Sequence, residues 1–153
     1  MTGTVCIVFA ILIGSMDLLI KRHMERRELP ADGTQSILGG KILLRRSYNK
    51  GAAFHIGEKK STLVAVLSVF LTIATAVCLI VSLGQKRNPL LAAGLTLLLG
   101  GAFSNTYDRL KRKYVVDYFS FGVRCRWLQN IVFNLADFCI IIGALLAALG
   151  GAQ

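Results

Sequence analysis

Histidine is scarce in this chain of 153 residues, and neither of its two histidines, His23 and His55, is followed by glutamate. A site that activates water through a helix-borne metal needs H-E-x-x-H, so that chemistry has no ligands here. No histidine falls inside an apolar stretch, which leaves a membrane-buried serine without its usual general base. The four cysteines, Cys6, Cys78, Cys125 and Cys139, show no C-x-x-C spacing. Three of them lie in apolar stretches where a packed thiol is the ordinary reading, so neither a disulfide framework nor a zinc cluster is supported. No metal and no cofactor is implied. Lysine and arginine are missing ahead of Val5–Met16, and no small-x-small cleavage site separates that stretch from Lys21, so it reads as a retained helix rather than a cleaved leader. Acidic charge is sparse too, with 8 Asp and Glu against 18 Lys and Arg.

What the chain has is apolar length. It is 54% hydrophobic with a mean hydropathy of +0.60, too apolar for a small soluble domain whose surface must stay wet. Four stretches, 5–20, 63–83, 90–107 and 131–149, approach the ~20 residues a helix needs to cross ~30 Å of hydrocarbon. Residues 1–153 therefore read as one all-α integral membrane domain with four spans. Between the first two spans, residues 29–34 carry turn chemistry, and Lys41 to Tyr48 is an aliphatic and basic run suited to an extended strand at the membrane surface. Pro89 suits the first turn of the third helix. Gly143 and Gly150 suggest close helix packing. The net charge of +10 is concentrated in the first and third connections. That distribution fits contact with anionic membrane lipids, and no motif interleaves aromatics with basic residues as nucleic-acid binding would require.

The carboxylates are the candidates for chemistry. A charged side chain at the bilayer centre costs roughly 2.5–3.5 kcal/mol on insertion scales, so one at such depth needs a partner or a task. Asp117 lies on the rim of an apolar stretch and Asp137 within one. Asn134 and Asp137, three apart, are expected to share a helix face looking into the bundle, where polar glue between helices is an open alternative to catalysis. Asp17 is expected to pair with Lys21 at i, i+4 at the membrane interface, and Asp108 with Arg109 could simply anchor the end of the third span beside Asn105. Two close carboxylates can share one proton, the ionised member activating water and the protonated one polarising a carbonyl and protonating the leaving amine.

Five motifs, read together and in this order, resemble the lipoprotein signal peptidases, or signal peptidase II. They are Asp17-Leu18-Leu19-Ile20-Lys21, Asn49-Lys50-Gly51-Ala52-Ala53-Phe54, Asn105-Thr106-Tyr107-Asp108-Arg109, Val115-Val116-Asp117 and Phe133-Asn134-Leu135-Ala136-Asp137. The resemblance implies that Asp117 and Asp137 are the catalytic dyad of an aspartic endopeptidase. Its substrates would be diacylglyceryl-modified prolipoproteins, cut just before the lipidated cysteine. It also implies that Asn49, Gly51, Asn105, Arg109 and Asn134 hold the substrate or the dyad, while Asp17, Lys21 and Asp108 are supporting structure. The implied fold adds a small extracytoplasmic β-sheet formed largely by the first loop, and the implied setting is the bacterial cytoplasmic membrane, as a monomer. Leu18 and Ser104 depart from the family's usual Gln and Gly, which admits a divergent paralogue, catalytic or merely lipoprotein-binding. A small proton-coupled transporter would explain Asp137 but not the other motifs. The positive-inside rule, applied to sixteen basic residues on one side against two, favours the opposite orientation to the family's.

Overall fold

The computed structural model describes residues 3–51, 58–85 and 88–152. Four long helices carry the fold: α1 (Gly3–Arg26), α2 (Ser61–Gly84), α3 (Pro89–Lys111) and, after a short α4 (Arg126–Asn130), α5 (Leu135–Gly151). By length and apolarity α1, α2 and α3 can each cross a membrane, whereas α5 is apolar but shorter. At 1.5 Å per residue its 17 residues span about 26 Å. The fourth expected span thus begins four residues late as a helix. Residues 131–134 are not helical, because Asn134 ends the extended approach and caps α5.

The least apolar of the three long helices is the most central. The most apolar window of α3 is 50% buried against 6% for α2, and α3 packs against α1, α2 and α5. In lipid the outer surface is the apolar one, so the helix carrying polar side chains inward takes the middle. Asn88 caps α3, its Oδ1 accepting the Leu90 N–H at 2.9 Å, with Pro89 in the first turn as its sequence suggests.

Small residues let α3 and α5 approach. Gly94 and Gly101 on α3, and Gly143 and Gly150 on α5, are each seven residues apart and therefore line one face. A Cβ added at Gly143 would lie 2.5 Å from the Leu98 nitrogen, and one at Gly94 would lie 2.3 Å from the Ala147 nitrogen. Backbone cannot retreat as a flexible side chain can. Gly143→Ala is accordingly expected to cost about 1–3 kcal/mol, the usual penalty of overpacking. Thermal unfolding in detergent would reveal it, and an unchanged midpoint would contradict the close packing.

The polar end of the bundle carries a three-stranded antiparallel sheet in the order β1-β2-β3. The strands are β1 (Thr34–Ile37), β2 (Ile42–Asn49) and β3 (Val115–Phe121). The first loop supplies most of the sheet, with β2 on the expected extended run and β1 a strand that the sequence reading did not single out, but the third strand comes from the connection between α3 and α5 and carries Asp117. Ser47 pairs with Asp117 and Asn49 with Val115, after an irregularity between Leu44 and Ser47. Gly39 and Gly40 both hold positive φ in the turn between β1 and β2, a conformation glycine adopts without steric cost.

Candidate active site

β3 is buried on both faces where it crosses the bundle, so alternation along the strand sends neighbouring side chains to different partners. Asp117, 3% exposed, meets Asn134, whose Nδ2 donates to its Oδ1 at 2.7 Å, and Asn49, whose Nδ2 lies 3.4 Å from its Oδ2. Tyr118, one residue on, turns the other way. Its hydroxyl donates to Asp17 Oδ1 at 3.1 Å and accepts the Leu135 N–H at 2.9 Å.

Asp137 does not share with Asn134 the helix face that their spacing suggested, because Asn134 lies just outside the helix. Asp137 sits in the first turn of α5 in a reciprocal capping box. Asn134 Oδ1 accepts the Asp137 N–H at 2.9 Å while Asp137 Oδ2 accepts the Asn134 N–H at 3.0 Å. The positive end of the helix dipole favours a carboxylate there, which lowers the cost of keeping one among apolar helices. Asn134 therefore touches both aspartates, its side-chain amide donating to Asp117 while its backbone N–H and side-chain oxygen engage Asp137. The approach to Asn134 is fixed by backbone bonds. Phe133 N–H donates to Phe119 O at 2.7 Å and Phe119 N–H donates to Phe133 O at 3.0 Å. Phe119 also stacks on Phe138 with ring centres 5.6 Å apart.

The second oxygen of Asp137 accepts from Asn105 Nδ2 at 3.0 Å. An amide side chain could turn either way, and Lys21 selects the orientation by donating to Asn105 Oδ1 at 2.8 Å. Lys21 also lies 2.7 Å from Asp17 Oδ2 and 3.1 Å from Asp108 Oδ2. All three ionic side chains are fully buried. The Asp17–Lys21 pair exists as its spacing predicts, but it is enclosed within the bundle and joined to Asp108 rather than wetted at an interface. Ser104, where the family usually has Gly, donates to Asp17 Oδ2 at 2.6 Å, so the departure adds a bond to this network. Arg109 is half-buried. Its Nη2 donates to Gly51 O at 3.0 Å and its Nη1 to Asn105 O at 3.3 Å, while Gly51 N–H donates to Asn49 Oδ1 at 2.9 Å.

The structure thus gathers Asn49, Gly51, Asn105, Arg109, Asp117, Asn134 and Asp137 at one place, with Asp17, Lys21 and Asp108 directly behind. Ala52, Ala53 and Phe54 of the second motif lie outside the described residues. Tyr118 is the partner that the sequence reading missed. A tyrosine in a strand whose other face bears a buried aspartate must bury its own hydroxyl, and a buried hydroxyl needs a partner, which was the available signal.

Both aspartates open into one cavity of about 550 Å³ lined also by Leu67 and Leu71 of α2 and by Ile140 and Ile141 of α5. Its walls are mostly hydrocarbon and its floor is acidic. Burial, and next the charge of Asp137, push the Asp117 carboxyl up to about 7, with the Asn134 hydrogen bond opposing them. A proton is therefore held by this pair near neutral pH. Among the described residues no group of His, Cys, Asp and Glu could hold a metal ion.

A helical membrane unit that presents two carboxylates, one able to hold a proton, to a single apolar cleft has the parts of an aspartic peptidase. Residues 7–151 match the family described as signal peptidase (SPase) II. A lipoprotein signal peptidase of Moorella thermoacetica is 31% identical over 144 residues, 92% of this chain and 87% of that protein. One from Caldicellulosiruptor bescii is 33% identical over 131 residues, 86% and 79% of the two chains. A solved bacterial membrane enzyme shares the fold with a TM-score of 0.78 at 21% identity, covering 98% of this chain and 88% of its own. The chain belongs to the signal peptidase II family, whose members are multi-pass proteins of the cytoplasmic membrane.

Proposed function

We propose that this protein removes the signal peptide from diacylglyceryl-modified prolipoproteins, cutting before the lipidated cysteine, with Asp117 and Asp137 as the dyad. The observation that carries the assignment is the shared cavity in which both carboxylates, each touched by Asn134, face an apolar cleft between α2 and α5. The cleft chemistry suits a substrate whose reactive end is a peptide and whose remainder is hydrocarbon.

Asp137, held by N–H donors at both oxygens, is the member that takes a proton from water as the water attacks the scissile carbonyl. Asp117 supplies the hydrogen bond to the carbonyl oxygen and then the proton to the leaving amine. The two titrate as a unit, so activity requires one proton on the pair. Asn49, Asn105, Arg109 and the Gly51 backbone are the groups within reach of an extended peptide, and Asp17, Lys21 and Asp108 position Asn105 behind them. The dyad faces the extracytoplasmic side, where a lipidated cysteine in the outer leaflet would meet it. The basic loops on that side run against the positive-inside rule, which concerns insertion rather than chemistry. A monomer suffices, since every group named belongs to one chain.

The test is cleavage of a lipidated prolipoprotein by the purified protein in detergent. The expected cut falls before the modified cysteine, with a bell-shaped pH profile whose alkaline limb in kcat/KM lies near pH 7, where the last proton leaves the pair. Equal turnover of unlipidated precursor would remove the substrate requirement, and flat activity up to pH 9 would remove the proton-sharing dyad.

A further inference from the structure

We infer that a second groove, between α1 and α3, is a binding site for the phosphate headgroup of an anionic phospholipid. The groove encloses about 680 Å³ and is lined by Leu18, Leu19, Arg22 and Arg26 of α1 and by Tyr107 and Lys111 of α3. Leu18, Arg22 and Arg26 stand on successive turns, as do Tyr107 and Lys111, so each helix contributes an apolar or aromatic side chain deeper in the bundle and a cation at its C-terminal end. From Leu18 to Arg26 the helix rises about 12 Å, enough to pass from acyl chain to headgroup.

The charge of the groove is unbalanced. Its carboxylate, Glu25, is already engaged, lying 3.1 Å from Arg112 Nη1 and accepting from the Tyr114 hydroxyl at 3.4 Å. Arg112 in turn is shared with Asp108 at 3.3 Å. Arg22, Arg26 and Lys111 have no carboxylate partner among the described residues. Three uncompensated cations around one recess repel each other and favour an anion placed among them. A phosphodiester supplies one, with oxygens that match the arginine fork.

Free phosphate would satisfy the cations but make no contact with Leu18, Leu19 and the Tyr107 ring that line the same groove. Leu19 is 66% exposed, so an occupant that carries hydrocarbon below its charge covers both halves at once. Basic pockets between membrane helices bind lipid headgroups for this reason. None of the three cations touches the dyad, so the site is separable from peptide cleavage.

The experiment uses the full chain in neutral detergent, read by native mass spectrometry and thermal unfolding with dioleoylphosphatidylglycerol, dioleoylphosphatidylcholine or inorganic phosphate. Phosphatidylglycerol should be retained preferentially and raise the unfolding midpoint more than phosphatidylcholine does. Combining Arg22→Gln, Arg26→Gln and Lys111→Gln should weaken its apparent affinity at least tenfold without changing that of phosphatidylcholine. Arg26→Gln alone, at the exposed end of α1, should weaken it about threefold if the triple variant does not fold. Equal binding of the two lipids, undiminished phosphatidylglycerol binding by either variant, or equal stabilisation by phosphate alone would each overturn the proposal.

Discussion

Asp117→Asn and Asp137→Asn should each lower kcat/KM for the lipidated precursor by at least ~10³-fold, since removing one member of an acid–base unit costs about as much as removing the unit. An amide keeps the shape of the side chain but neither takes a proton from water nor gives one to the leaving amine. The two variants should separate in stability, which distinguishes lost chemistry from lost fold. Asp117 carries a folded value of about 7 against 3.8 when unperturbed. A raised value means that the folded state holds the proton more tightly than the unfolded chain does. The contribution of Asp117 to stability is therefore greatest below about pH 4, falls as pH rises toward 7, and is constant above that. Asp117→Asn removes this loss, although its amide NH₂ must face either the Asn134 or the Asn49 donor, so its stability relative to the parent should climb as pH rises from 4 to 8. The rise from 3.8 to about 7 bounds that pH-dependent change at roughly 4 kcal/mol, and none of it should be present below pH 4. Asp137→Asn should be the less stable of the two. Both of its oxygens accept N–H donors, so an amide NH₂ must face one of them, and loss of the capping box costs about 0.5–2 kcal/mol. Parent-like cleavage by either variant would dispose of the dyad.

Lys21→Met should be the most damaging single change outside the dyad, at about 3–5 kcal/mol, the cost of leaving buried charge without its partner. Lys21 lies between Asp17 and Asp108, all three fully buried. Without the ammonium the two carboxylates face each other across a dry space. A midpoint fall on the order of 10 °C in detergent follows from that energy. Adding Asp17→Asn to Lys21→Met should recover part of it, because one unpaired charge is then gone. A shift of less than 2 °C would show that the network is wetter than its burial indicates. Activity should fall further than stability accounts for, since Asn105 would lose the bond that turns its amide toward Asp137.

The long apolar helices were legible because hydropathy is a property of contiguous residues. The expected 63–83 and 90–107 became Ser61–Gly84 and Pro89–Lys111, the second opened by the Asn88 cap and Pro89 in the first turn. The candidate site was legible as residues, through motifs whose order survives without geometry. Its arrangement was not. Helical periodicity placed Asn134 and Asp137 on one face, but the same three-residue spacing also makes a capping box, and only the pairing of Phe133 with Phe119 decides which forms. Asp17 and Lys21 showed the same limit. Their spacing predicts an ion pair in any helix, yet whether it lies in water or in the bundle depends on Asp108, more than eighty residues away.

By itself, then, the sequence determined the apolar helices and the two aspartates as the residues to watch, since each of these depends on composition or local spacing. Only the tertiary structure decided that Asp137 belongs to a helix start rather than a helix face, and that Asp117 arrives on a strand paired with the first loop. It alone decided that Tyr118, Ser104 and Lys21 stand behind the pair. Those contacts join segments far apart in the chain, and their energies depend on burial that no local window contains.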